Sequence, residues 1–236
     1  MILAAGRGTR LGELTRTLPK PLIEVAGKPV IFHTLERLAA LGIREVIVNA
    51  HHLAETLIRT VGDGTSWGLT IRFLVEETLL ETGGGVCNAL PLLGEEPFFA
   101  VNGDILWDFD PRPLWRDFDP GALDGRLGLI AARPWQKPDF HLLDTGGLCR
   151  IREGEGAHGY TYSGLQVLSP AALRDYVVEP FSLNRFYDRA MASGRLLGVP
   201  LHGTWFDVGT PERLEMARET WNSRLPAFAT AESCIS

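Results

Sequence analysis

Cysteine is scarce in this 236-residue chain: Cys87, Cys149 and Cys234 are the only three. An odd number at wide spacing supplies neither a disulfide framework nor a Cys-x-x-Cys metal or redox motif. Reduced thiols of a cytoplasmic protein are expected. No apolar run is long enough to cross a bilayer. The first residues lack the charged and apolar regions of a signal peptide. Runs of lysine and arginine are missing too. With 23 Lys+Arg against 29 Asp+Glu the formal net charge is −6, which argues against a nucleic-acid polymer or a membrane surface as partner. A small anion remains a reasonable ligand wherever a few cations converge. The glycine turn after the first apolar run, Gly6-Arg7-Gly8-Thr9-Arg10, lacks two phosphate-binding signatures: Gly-x-Gly-x-x-Gly and Gly-Lys-Ser/Thr. No internal repeat or low-complexity segment appears.

What is present suits one α/β domain. At 45% hydrophobic and 22% charged residues, the chain can bury a full core. Met1–Ala5 reads as a buried strand; it begins abruptly, and whether residues precede Met1 is left open. Helical spacing over Pro29–Leu41, stopped by Gly42, is followed by an Ile/Val strand at Ile43–Asn49. A helix over Leu53–Val61, a strand at Leu69–Val75, a helix over Gly84–Leu92 and a strand at Phe98–Val101 come next. This βαβαβαβ order predicts a mostly parallel sheet with helices on both faces, with ligands beyond the carboxyl ends of the strands. From about Asp108 the pattern is mixed. Strands are expected at Leu127–Ala132, Phe140–Leu143, Tyr160–Leu168, Leu196–Pro200 and Thr204–Val208. Helices are expected near Leu183–Ala192 and from Thr210-Pro211, with Thr210 as N-cap. The whole reads as one domain over residues 1–226, the second half a small mixed α/β extension, with a frayed tail at 227–236.

Chemistry concentrates at the strand ends. Gly6-Arg7-Gly8-Thr9-Arg10 follows the first strand. Glycines there let backbone N–H groups approach a phosphate, and Arg10 adds a planar fork for its oxygens. Alone, such a turn is as often a plain connection. Lys20 in Leu18-Pro19-Lys20-Pro21-Leu22 sharpens it, because flanking prolines restrict the backbone around an ammonium. Asp104 in Asn102-Gly103-Asp104 and Asp207 in Trp205-Phe206-Asp207-Val208-Gly209-Thr210 are the carboxylate candidates. A half-buried Asp between Phe and Val is costly unless paired or bound to a cation. Two carboxylates with phosphate oxygens make a natural Mg²⁺ site. Whether Asp104 and Asp207 converge is not visible in the sequence. Glu81-Thr82-Gly83-Gly84-Gly85 reads as a glycine entry to a helix, with amides free for a base or sugar edge. His51-His52, lacking a third histidine nearby, read as loop and helix-start residues.

LAAGRGTRL, PKPL, ETGGG, VNGD and WFDVGT, in this order over about residues 1–220, resemble the sugar-nucleotide pyrophosphorylases. These are nucleotidyltransferases acting on sugar 1-phosphates. The likeness is strongest to members that transfer uridylyl to N-acetylmuramate 1-phosphate in peptidoglycan recycling, with mannose-1-phosphate guanylyltransferase-type members next. The resemblance implies a Rossmann-like sheet, a nucleoside triphosphate and a sugar 1-phosphate as partners, Mg²⁺ as cofactor, and a monomer or small homo-oligomer. It also implies a nucleotide-binding half at 1–107 and a sugar-binding, metal-completing half at 108–226. Ala5, Gly6, Gly8 and Thr9 would hold base and phosphates, Arg10 the leaving pyrophosphate, and Lys20 the α-phosphate or the sugar phosphate. Asp104 and Asp207 would hold the metal. Glu77, Gly83 and Asn102 fall where the family binds base and ribose, and Asp139 and Gly164 where it holds the sugar. Two departures, Arg133–Pro138 and Gln166 (where many members carry Tyr), are expected in the sugar pocket. Two rivals remain: a catalytically inactive sensor of sugar nucleotides, and a nicotinamide dehydrogenase, which lacks its third glycine here.

Overall fold

The computed structural model describes residues 1–133, 136–152 and 158–222. β1 (Ile2–Leu3) ends in the glycine turn. The turn leads to α1 (Leu14–Thr17), a hairpin of β2 (Glu24–Val25) and β3 (Lys28–Pro29), and α2 (Val30–Ala40). Pro29 precedes α2, where no intrahelical N–H is needed. Gly42, at φ +85°, stops it, and the Ile43 N–H returns to the Leu38 carbonyl at 3.1 Å. Next come β4 (Glu45–Ala50), α3 (Ala54–Val61), β5 (Thr70–Val75), α4 (Glu81–Leu93), β6 (Phe98–Asn102) and β7 (Ile105–Trp107). β5, β4, β1 and β6 lie side by side and parallel.

Alternation along the strands explains the two layers of helices. Val46 and Val48 of β4 pack with Ile31, Leu35 and Leu38 of α2, while Ile47 between them joins the opposite cluster with Val86 and Ala89 of α4. Each face is therefore apolar and each is covered, as a parallel sheet requires.

The second half adds β8 (Gly125–Ala131), β9 (Phe140–Leu142), β10 (Leu148–Arg150), β11 (Tyr160–Leu168), α5 (Asn184–Ala192), β12 (Leu196–Pro200), β13 (Trp205–Asp207) and α6 (Pro211–Asn222). β11 runs antiparallel beside β6 and carries the sheet on to nine strands. The mixed half thus continues the parallel sheet rather than forming a second one. β7 and β13 leave that sheet as an antiparallel ribbon. A separate cluster of Leu106, Phe206, Val208, Leu214 and Trp221 with Leu11, Ile23 and Val25 fastens this ribbon to α6 and to the β2 region. Among the described residues no helix is long and apolar enough to cross a membrane. The tail at 227–236 and Cys234 lie outside the described residues, as does part of the Arg133–Pro138 stretch.

Candidate functional site

The glycine turn and the lysine after it are one packed unit. Gly8 has φ +64°, and a Cβ there would stand 2.9 Å from Thr15 Cγ2 and 3.2 Å from Lys20 Cβ. Both backbone and space exclude a side chain. The Thr15 hydroxyl donates to the Gly8 carbonyl at 3.0 Å. Lys20 opens a short 3-10 turn, held by the Leu22 N–H on Pro19 O at 2.8 Å and the Ile23 N–H on Lys20 O at 3.1 Å. The lysine is 8% exposed, its stem lies under Gly8, and its ammonium ends in an ion pair with Asp104. The turn's other side is open: no atom lies within 4 Å of where a Gly6 Cβ would stand, and Arg7, Thr9 and Arg10 are exposed. Ala5, just before, is buried. The Arg10 guanidinium reaches Gly209, one nitrogen lying 3.2 Å from where that residue's Cβ would be.

The backbones of Asp104 and Asp207 are brought side by side. The Gly103 N–H donates to Leu3 O at 2.8 Å, turning the chain across the end of β1. Asp207 then lies opposite Ile105 in the β7–β13 register, and the Val208 N–H donates to the Asp104 carbonyl at 3.0 Å. Asp207 is gripped by Arg213, whose Nη1 donates to both carboxylate oxygens at 2.8 and 2.9 Å. Each carboxylate therefore holds a cation while keeping 27% (Asp104) and 18% (Asp207) of its side chain open to solvent. A pair of hard oxygen donors suits a cation such as Mg²⁺, which takes few protein ligands and completes its shell with water and phosphate. Among the described residues no cluster of three or more His, Cys, Asp or Glu offers an all-protein metal cage. A metal held here would share its shell with substrate or water oxygens.

Beneath the turn lies a buried polar network that the sequence reading passes over. Asn49 Oδ1 accepts the Ala4 N–H at 2.8 Å, and its Nδ2 donates to Glu76 Oε1 at 2.7 Å. Glu76 Oε2 accepts the Leu80 N–H at 3.0 Å. Asn49 is 2% and Glu76 3% exposed, so each bond counts, because a buried polar group left unmatched costs about 1–3 kcal/mol. The network ties the carboxyl ends of β1, β4 and β5 to the entry of α4. Glu77, the residue expected near the base, is exposed in the loop beyond β5. His51 and His52 are loop residues; His52 Nε2 lies 2.9 Å from Thr15 O and His51 Nδ1 2.9 Å from Glu76 O.

The glycine triplet behaves differently from expectation. α4 begins at Glu81 (φ +58°), not Gly84, so all three glycines lie inside its first turns. A Cβ on Gly83 would meet the Phe181 ring at 2.2 Å, one on Gly84 the Glu179 carbonyl at 2.1 Å, and one on Gly85 Asn49 Nδ2 at 2.7 Å. The Gly83 N–H donates to Phe181 O at 2.8 Å. The close approach these glycines allow is to the chain's own segment and to the buried network. Their amides are not free for a ligand edge.

On β11, beside β6, Gly164 (φ +83°) sits where the β11–β8 register shifts, and a Cβ there would fall 3.1 Å from Asn102 Nδ2. Asp139 accepts the Tyr162 N–H at 2.9 Å. The surrounding protein raises its carboxyl above the usual range by desolvation, opposed first by that hydrogen bond, then by Arg150 and Arg213; Asp207 adds a small further rise. Asp139 thus shares a field with Asp207. Gln166 is not in the pocket: it is 1% exposed and its Oε1 accepts the Tyr187 hydroxyl at 2.7 Å. Alternation explains why, since Leu165 and Val167 face one core and Gln166 the other.

A family model described as nucleotidyl transferase matches residues 1–140. The chain is 37% identical to an N-acetylmuramate alpha-1-phosphate uridylyltransferase of Neisseria meningitidis serogroup B, over 92% of this chain and 96% of that protein. It is 35% identical to the protein of the same name from Caulobacter vibrioides, over 90% of this chain and 92% of that one. A mannose-1-phosphate guanylyltransferase catalytic subunit beta of Danio rerio is 32% identical over 90% of this chain and 61% of that protein. Among solved structures, a putative glucose-1-phosphate thymidylyltransferase from Bacillus anthracis superimposes with a TM-score of 0.84 at 17% identity, covering 97% of this chain and 96% of that one. That likeness concerns the fold.

Proposed function

Because the chain belongs to the nucleotidyl transferase family, we propose that it transfers uridylyl from UTP to N-acetylmuramate 1-phosphate with Mg²⁺, releasing pyrophosphate. The observation that carries the reaction class is the meeting of Arg10, Lys20, Asp104 and Asp207 around one open glycine turn. The full-length match to two uridylyltransferases, against 61% of the guanylyltransferase, supports the choice of substrates.

The residues divide the work by charge. An oxygen of the acceptor phosphate attacks the α-phosphorus, the bond to the bridging oxygen breaks, and pyrophosphate leaves with the electron pair. No protein nucleophile is required. Positioning and neutralisation of a crowded anionic transition state carry the rate. Gly6, Gly8 and Thr9 bring backbone amides to the phosphates. Arg10 faces the leaving pyrophosphate. Lys20, immobilised under Gly8, presents its ammonium where the new bond forms. Asp104 and Asp207 would hold Mg²⁺, which would supply further positive charge and so help a chain of net charge −6 take two anions. Asn102 and Glu77 stand on the nucleoside side, Asp139 and Gly164 on the sugar side. Residues 1–107 serve the nucleotide and 108–226 the sugar and metal, in a cytoplasmic monomer or small homo-oligomer.

Pyrophosphate release, with products identified by mass, tests this across UTP, GTP, dTTP, CTP and ATP. Each is paired with the 1-phosphates of N-acetylmuramate, N-acetylglucosamine, glucose and mannose. UTP with the muramate is expected to dominate. Dominance of GTP with mannose 1-phosphate would move the chain to the guanylyl group. Nucleotide binding without release in any pair would contradict the enzymatic reading.

A further inference from the structure

Both carboxylates proposed to hold the metal are already engaged. Lys20, on Asp104, belongs to the proposed machinery. Arg213, on Asp207, has no assigned role. Its backbone is fixed at the start of α6, where its N–H donates to Thr210 Oγ1 at 3.4 Å. Its Nη1 spans both oxygens of Asp207, and Oδ1 accepts the Gly209 N–H at 3.1 Å as well. These are the oxygens a divalent cation would use, so guanidinium and metal compete for one carboxylate. The Arg213 side chain is 46% exposed, free to swing away. Arg213 and Asp207 both act electrostatically on Asp139, the residue assigned above to the sugar, and Gly209 brings Arg10 alongside Asp207.

We propose that Arg213 is a phosphate-binding residue held in reserve. It leaves Asp207 when that carboxylate takes a divalent cation, and its freed fork binds phosphate oxygens of the acceptor. A planar bidentate donor suits that partner. The exchange makes acceptor binding depend on metal, since before metal arrives the ion pair through Nη1 holds the guanidinium on Asp207. This rests on the reading of Asp207 as a metal ligand.

The test uses the full chain with Mn²⁺ alone, free ion being read by its paramagnetic resonance signal. Arg213→Met keeps the stem and removes the competing charge; Asp207→Asn removes the ligand. Arg213→Met is expected to bind Mn²⁺ about fivefold more tightly than the parent, while its Kd for the sugar 1-phosphate in the presence of Mn²⁺ rises roughly tenfold, the usual scale for losing one charge-assisted hydrogen bond. Arg213→Lys is expected to recover part of the acceptor affinity. The Kd for the nucleoside triphosphate should change less than twofold, and a shift there larger than for the acceptor would contradict the assignment to the acceptor. Unchanged or weaker Mn²⁺ binding by Arg213→Met, with Asp207→Asn still impaired, would overturn the exchange and leave the metal site standing. Undiminished Mn²⁺ binding by Asp207→Asn would overturn both.

Discussion

The two ends of the sheet differ in what they offer a ligand. At the amino end lies a cavity of about 670 Å³ lined by Met1, Leu38, Leu41, Ile47, Leu92, Phe98 and other largely apolar residues, with Glu45, Arg72, Arg112 and Arg116 among them. At the carboxyl end lie an open glycine turn, two carboxylates, and Lys20 and Arg213 paired to them. Apolar lining marks the first, phosphate-directed charge the second. Apolar walls can hold a ligand by area, but phosphoryl transfer needs charge aimed at phosphates. The difference follows from parallel pairing: β1, β4, β5 and β6 all release their loops at the carboxyl end, and the turn, Glu76 and Asp104 sit there for that reason.

The sharpest way to break this comparison is to remove charge at the carboxyl end. Lys20→Ala or Asp104→Asn should lower turnover by roughly a hundredfold or more, the usual cost of losing an electrostatic stabiliser. Near-normal turnover in steady-state assays would mean that the chemistry lies elsewhere. Glu76→Gln should come next. It replaces one acceptor in a buried network by a donor facing donors, so stability should fall by about 1–3 kcal/mol in urea titration, with a raised KM for the nucleotide. An unaltered variant would show that the network does not tie the strand ends to α4.

The amino end makes its own predictions. In a chain expressed from Met1, burial pulls the Met1 amine from its usual 8.0 down to about 5, and that amine donates to Phe99 O at 2.7 Å. Between pH 5 and 8 the unfolded chain then binds more protons than the folded one, so stability rises with pH across that window and levels off above it. Acetylating the amine should flatten the rise, as followed by urea unfolding; a slope that survives acetylation would assign it to another group. The smallest effect is expected from Trp115→Ala. Trp115 lines the amino-end cavity and is 48% exposed. Turnover should stay within about twofold of the parent, because surface substitutions away from a site are usually mild. A large loss would couple the two ends.

Strand and helix order was legible because hydrophobic periodicity and glycine punctuation act locally: Tyr160–Leu168 and Leu196–Pro200 carry the expected bounds. Lys20 was legible because two prolines around a lysine are a local oddity. What long-range pairing creates was not. Asp104 and Asp207 are more than a hundred residues apart, and the β7–β13 ribbon sets their backbones side by side. Nothing local separates buried Glu76 from exposed Glu77, as strand alternation at an end does not say which carboxylate finds Asn49. The glycine triplet looked like a ligand loop because glycine permits close approach without naming the partner. Here the partner is the 179–181 segment. Gln166 was assigned to the pocket by motif position, while the pleat turns it into the core.

The most direct measurement of the central claim is a crystal structure with Mg²⁺ and a non-hydrolysable UTP analogue. The triphosphate is expected over Gly6–Arg10, the metal between Asp104 and Asp207, and Lys20 directed at the α-phosphate. A nucleotide seated in the amino-end cavity, or a metal bound without either aspartate, would contradict it.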